Sequence, residues 1–206
     1  MRRVAVFSGV IVLLSIAALA ADYNEDDKDK DRFAPGAAAS YKGSQTTDKI
    51  TMAAVPFITE EQMHTAFGKV NPNKYGVLPV LVVLENGTGK ALRLSLSADY
   101  IAPDARHVDA TPASDVTFIG GSGKPPSVPG SNPLPFPRRA KKGPLNTWEI
   151  EGRAFTAKLV PVGEKVYGFF YFQTEYLPGS KIYLTGISDA ASGKEYLYFE
   201  VPLEKQ

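Results

Sequence analysis

One nine-residue stretch constrains the fold more tightly than anything else in the chain. Leu92, Leu94, Leu96, Ala98 and Tyr100 alternate with Arg93, Ser95, Ser97 and Asp99. A period of two sends one set of side chains to a core and the other to water, the pattern of a strand in a sheet with one solvated face. Upstream, Val77 to Leu84 is almost wholly apolar and rich in β-branched residues, which predicts a strand covered on both faces. Asn86-Gly87 stands between the two stretches and is a hairpin turn signal, so they are expected to pair. Pro103-Asp104 predicts a further turn, and Arg106 to Ala110 a short strand after it.

The C-terminal third carries the same signature. Lys165 to Thr174 holds Gly168-Phe169-Phe170-Tyr171-Phe172, too aromatic on both faces for an exposed edge. Lys181 to Ile187 and Glu195 to Leu203 flank the turn Ala191-Ser192-Gly193-Lys194. In the last strand, alternation directs Leu197, Phe199, Val201 and Leu203 inward and Tyr196, Tyr198 and Glu200 outward. Short strands separated by turn signals predict a mainly β fold, an antiparallel sandwich with one or two short helices. Thr59-Glu60-Glu61-Gln62 is a capping box that opens a helix from Glu60 to about Phe67. A second helix is expected from Trp148 to about Leu159, on the Asn146/Glu149 cap spacing and the Glu149–Arg153 pair. Gly152 weakens it, and the alternation of Trp148 with Ile150 keeps a strand open there.

The 206 residues, 44% of them hydrophobic, suffice for one core. With no Cys, disulfides, thiolate metal sites, a cysteine nucleophile and a lipidated cysteine anchor are excluded. Two His exclude a three-histidine metal site. The 23 basic and 22 acidic side chains nearly cancel, so no overall field draws nucleic acid.

Arg2 and Arg3 precede an apolar run from Val4 to Ala21, and Ala18-Leu19-Ala20 has the small-x-small form of a signal-peptidase site. Residues 1–20 therefore read as a secretory signal peptide, whose removal takes the formal charge from +1 to −1. The run also approaches the roughly 18 residues that span a bilayer, so contact with a membrane is expected only if it stays uncleaved. Export of a cysteine-free chain points to a bacterial periplasm or cell surface. Asp22 to Arg32 then carries six acidic and three basic residues, and an Ala-, Gly-, Ser- and Thr-rich stretch continues to Thr47. Such a composition predicts a disordered tether over residues 21–47, with the folded domain spanning 48–206. Asp27, Asp29 and Asp31 imitate a calcium loop, but Arg32 and Ala38 stand where Gly and Glu are required.

Residues 121–146 differ in kind. Seven Pro and four Gly exclude a helix or a central strand, so a long excursion from the fold is expected. No acidic residue lies between Asp115 and Glu149, whereas Lys124, Arg138, Arg139, Lys141 and Lys142 are basic. Pro133-Leu134-Pro135-Phe136-Pro137 stiffens the arm just before the basic cluster. A pre-extended basic arm bearing Phe136 loses little entropy on docking, and its complement is an acidic envelope protein or an anionic surface.

Leu78-Pro79-Val80-Leu81-Val82-Val83-Leu84-Glu85-Asn86, followed by Lys90-Ala91-Leu92-Arg93-Leu94, resembles the opening hairpin of immunoglobulin-like, telokin-like bacterial envelope domains. Pro161-Val162-Gly163-Glu164 leading into Gly168-Phe169-Phe170-Tyr171-Phe172 resembles their later strand entry, with Val162 interrupting the usual Pro-Gly pair. The resemblance implies an immunoglobulin-like sandwich of the kind found in periplasmic and surface proteins, and carries over no catalytic residue.

Known catalytic motifs fail on this chain. Gly87-Thr88-Gly89-Lys90 and Gly120-Gly121-Ser122-Gly123-Lys124 lack the earlier Gly and the following Ser or Thr of a phosphate loop. His64 and His107 with Asp104 or Asp109 have zinc-ligand chemistry but no close-spaced pair. Asn86-Gly87-Thr88 has the form of a glycosylation sequon, which its turn chemistry also explains. No cofactor is expected. The leading expectation is a non-enzymatic envelope module that binds a protein or surface through residues 121–146. The alternative is a carbohydrate-binding module using Tyr196 and Tyr198, with a secreted hydrolase lacking a known motif as a third.

Overall fold

A computed structural model describes residues 33–121 and 142–206. Its strands are β1 (Gln45–Thr47), β2 (Ile50–Pro56), β3 (Leu78–Asn86), β4 (Leu92–Ile101), β5 (His107–Asp109), β6 (Leu159–Val160), β7 (Lys165–Phe172), β8 (Lys181–Asp189) and β9 (Phe199–Pro202). Among the described residues these nine strands form two antiparallel sheets, ordered β1-β2-β3-β7 and β5-β4-β8-β9, with β6 also paired to β4. Helices α1 (Glu60–Phe67), α2 (Ala113–Val116) and α3 (Trp148–Gly152) and two 3-10 helices (Ala38–Ser40 and Pro72–Tyr75) complete the regular structure of the described residues. The capping box forms as expected: Thr59 Oγ1 accepts from Gln62 N, and Gln62 Oε1 accepts from Thr59 N.

The difference between the two strand patterns is a difference between layers. Ile50, Met52, Val80, Val82 and Leu84 of the first sheet meet Leu92, Leu94, Tyr100, Ile182, Leu184 and Val201 of the second in one core. The other face of the first sheet packs Val55, Leu81, Val83, Phe169 and Tyr171 against Met63 and Phe67 of α1, Val116 of α2 and Ile150 of α3. Successive residues of β3 thus enter opposite cores, which is why its run is apolar without alternation. In β4 only one face is buried, and Arg93, Ser95 and Ser97 are exposed.

Four expectations need correction. First, β3 and β4 lie in different sheets, so Asn86-Gly87 makes no hairpin. It carries the chain from one layer to the other. Buried Asn86 donates from Nδ2 to the carbonyls of Lys90, Val160 and Pro161 at 2.8, 3.1 and 2.9 Å. Its Oδ1 accepts from Thr88 N and Thr88 Oγ1 at 3.0 and 2.6 Å. Two of those partners lie more than 70 residues downstream, out of reach of any local turn rule.

Second, residues 33–47 belong to the fold, not to a tether. The Phe33 ring packs 5.5 Å from Phe169 and 6.0 Å from Phe57. Ala38 N donates to Glu85 Oε1 at 2.8 Å, and Lys165 Nζ donates to the Pro35 and Gly36 carbonyls at 2.8 and 3.1 Å. A polar composition persists here because side chains of β3 and β7 satisfy the backbone, while Pro35 and Ala38 are buried and the half-buried rings of Phe33 and Tyr41 pack against the helical-layer core. Residues 1–32, including the segment expected to be a signal peptide, lie outside the described residues.

Third, the helix from Trp148 stops at Gly152. Gly168 decides this. A Cβ there would lie 2.4 Å from Phe155 Cα, so the missing side chain lets residues 153–155 run along the edge of β7. Phe169 N donates to Arg153 O, and Phe155 N donates to Phe169 O. Fourth, the final strand begins only at Phe199.

Asp189 closes the end of β8. Its Oδ1 accepts from Ala191 N and Ser192 N at 2.8 and 3.0 Å, and Lys90 Nζ lies 2.7 Å from Oδ2. The Lys90 ammonium first, then the Ser192 and Ala191 amides, hold its carboxyl well below the usual carboxylate range. Because the folded value is depressed, this support is present above the unfolded value of about 3.9 and is lost as pH falls through the folded one. Asp189→Asn is therefore expected to cost stability at neutral pH and to flatten the acid limb of the thermal midpoint below about pH 4, as calorimetry across pH will read. Asn86→Asp is expected to cost about 3 kcal/mol in denaturant unfolding, because a carboxylate would face three carbonyl oxygens. Since Asn86 is buried and its amide is engaged, the folded protein should also resist glycosylation there.

Candidate functional site

The second sheet keeps one face in water, and strand register arranges that face in rows. Asp109, Asp99, Tyr183 and Glu200 stand in register across β5, β4, β8 and β9. His107, Ile101, Lys181 and Pro202 form the next row. Between them lies a shallow groove of about 510 Å³, lined by Asp99, Ile101, His107, Lys181, Tyr183 and Glu200 among others. Tyr198, one residue before β9, brings its ring to 5.0 Å from that of Tyr183, with the planes inclined by 33°. Tyr198 is 52% exposed and Tyr183 half-buried, so the pair presents aromatic surface to water. Lys181 Nζ and Glu200 Oε2 form an ion pair at 2.5 Å beside it.

The two tyrosines expected to act together are parted. Tyr196 is half-buried, packs against the core between the sheets, and donates its N–H to Ile187 O. Leu197, expected inward, is 73% exposed. Alternation fails because residues 195–198 are held by the isolated Ser188–Glu195 bridge and not by a continuous ladder. The partner of Tyr198 is Tyr183, 15 positions away in the chain, and only the β8–β9 pairing brings them together. The alternation of Tyr183 with buried Ile182 and Leu184 was the available signal.

Of the basic arm, Lys124, Phe136, Arg138, Arg139 and Lys141 lie outside the described residues. Lys142 is described and exposed. The points where that segment leaves and rejoins the fold are adjacent: Gly143 N donates to Thr117 O at 2.7 Å. A Cβ on Gly143 would lie 2.1 Å from Ile119 O, so only glycine permits this closure.

The two histidines occupy different layers. His64 is on α1, in a groove of about 360 Å³ with Glu60, Lys74 and Tyr75, and His107 is on β5. Lys74 pairs with Glu60 at 3.1 Å, and that contact holds the Glu60 carboxyl below its ordinary value. Among the described residues no group of three His, Asp or Glu side chains could hold a metal ion. No family model matches the chain, and no curated protein matches it in sequence.

A pair of rings on the solvated face, one exposed and one half-buried, contributes little to folding. Tyr183→Ala and Tyr198→Ala should each cost about 1 kcal/mol or less, with a coupling below about 1.5 kcal/mol in a double-mutant cycle. Tyr171→Ala, in the core beneath α1, should cost about 3 to 5 kcal/mol in the same denaturant titration.

Proposed function

We propose that the protein is an exported, non-enzymatic module of the cell envelope, and that the outer face of β5-β4-β8-β9 binds glycan. The single observation that carries this reading is the Tyr183–Tyr198 pair, in which exposed Tyr198 packs on a Tyr183 that lines a groove rimmed by hydrogen-bonding side chains. The face of a pyranose is apolar C–H surface and its rim is hydroxyl, so rings below and Asp99, Glu200 and Lys181 around suit both parts. The cleavable-looking leader at residues 1–20 supports export.

The strand order supports an immunoglobulin-like reading of the sandwich. Taking β2, β3 and β7 as strands A, B and E, and β5, β4, β8 and β9 as C′, C, F and G, reproduces the division of strands between the two sheets of such domains. The short β6 then takes the place of strand D and pairs with C instead of E.

The pinned ends of residues 122–141 favour a second reading, in which the basic arm docks on an acidic protein or anionic surface. One experiment separates the two. Mature protein is incubated with peptidoglycan and insoluble glycans and the retained fraction is measured. Retention that survives deletion of 122–141 but is lost on Tyr198→Ala is the outcome expected for the sheet face. The reverse pattern assigns binding to the arm.

A further inference from the structure

We infer that the saccharide taken by this face bears a free amine, a conclusion that rests on the glycan reading above. The charges of the face carry it. Asp99 and Asp109 stand directly opposite one another across β4 and β5. At such positions Cβ atoms are about 5 Å apart, and like charges there destabilise the pair. The neighbouring cations are already engaged, Lys181 with Glu200 and Arg106 with Asp104. Arg93, at the far end of β4, donates to the Ala190 carbonyl. Among the described residues neither Asp99 nor Asp109 has an ion pair or a side-chain hydrogen bond. His107 stands two positions from Asp109 on the same strand and face, and among the described residues it forms no ion pair with either carboxylate.

Two unneutralised carboxylates therefore lie beside an aromatic pair, with Asp99 the direct cross-strand neighbour of Tyr183. Both carboxylates also line a second depression of about 530 Å³ that opens past the end of β5 toward Thr111 and Phe170. An ammonium placed near Asp99 would answer both features at once, relieving the repulsion and lying against a tyrosine ring. A pyranose that stacks on Tyr183 and Tyr198 while carrying that ammonium is a 2-amino-2-deoxy sugar with its nitrogen unacylated. An N-acetylated unit offers the same stacking face with no charge.

The test is titration calorimetry on the mature chain with a β-1,4-linked glucosamine hexamer, its fully N-acetylated counterpart, and hexalysine. The glucosamine oligomer is expected to bind about tenfold more tightly than the acetylated one at low salt. That preference should shrink as salt is raised, because exposed charges are screened. Asp99→Asn should bring the two oligomers to parity by weakening the glucosamine oligomer about tenfold more than the acetylated one, and Tyr198→Ala should weaken both. Asp109→Asn should weaken glucosamine binding while raising the thermal midpoint, because it removes the facing charge. A variant damaged in folding would lower that midpoint instead, and such a drop would overturn the claim that the two carboxylates are unneutralised. Equal binding of the two oligomers, or tighter binding of the acetylated one, overturns the amine inference and leaves the glycan reading standing. Hexalysine binding as tightly as the glucosamine oligomer overturns it in favour of a basic peptide. Failure of both oligomers overturns it too, and if peptidoglycan and insoluble glycans also fail to retain the protein, the glycan reading falls with it.

Discussion

Burial of β3 on both faces is the constraint on which the rest of the structure depends. Its even-numbered residues from Leu78 to Leu84 face the second sheet, while Leu81 and Val83 face the helical layer. Fully burying one such side chain is worth roughly 1.5 to 3 kcal/mol, and every one of them is at most 2% exposed. A strand used twice in this way must sit inside its sheet, so β2 and β7 flank it on either side. It must also be covered on two sides, which calls for both a second sheet and a layer of short helices. A chain with no disulfide gains its cohesion from that three-layer arrangement.

The same constraint decides where binding chemistry can stand. With one face of the first sheet turned to helices and the other to the partner sheet, the broad strand surface left to water is the outer face of β5-β4-β8-β9. Polar residues at alternate positions of β4 and β8 are the mark of this on the sequence. Register then converts residues scattered from position 99 to position 200 into one row, and a tilted tyrosine pair into a surface.

Passage between the layers depends on a different device. Chain reversal at Asn86-Gly87 would have been a two-residue turn had both strands stayed in one sheet. Because they do not, the buried amide of Asn86 gathers the carbonyls of residues 90, 160 and 161. Asp189 and Lys90 tie the end of β8 to the same crossing. Polar groups that look like turn formers in the sequence serve here as cross-links between distant segments.

Local physics alone was enough to determine several elements from the order of residues. The capping box at Thr59, the doubly buried run before Asn86, the alternation from Leu92 and the β-rich C-terminal third each follow from interactions within a few residues. Tertiary structure decided whatever depends on which segments become neighbours. It placed β3 and β4 in separate sheets, drew Phe33 and the residues after it onto β7, ended α3 at Gly152, turned Tyr196 toward the core, and paired Tyr198 with Tyr183. The physical reason is the same in each case: a side chain's propensity is a short-range property, whereas its partner is set by long-range register and by room at places such as Gly168.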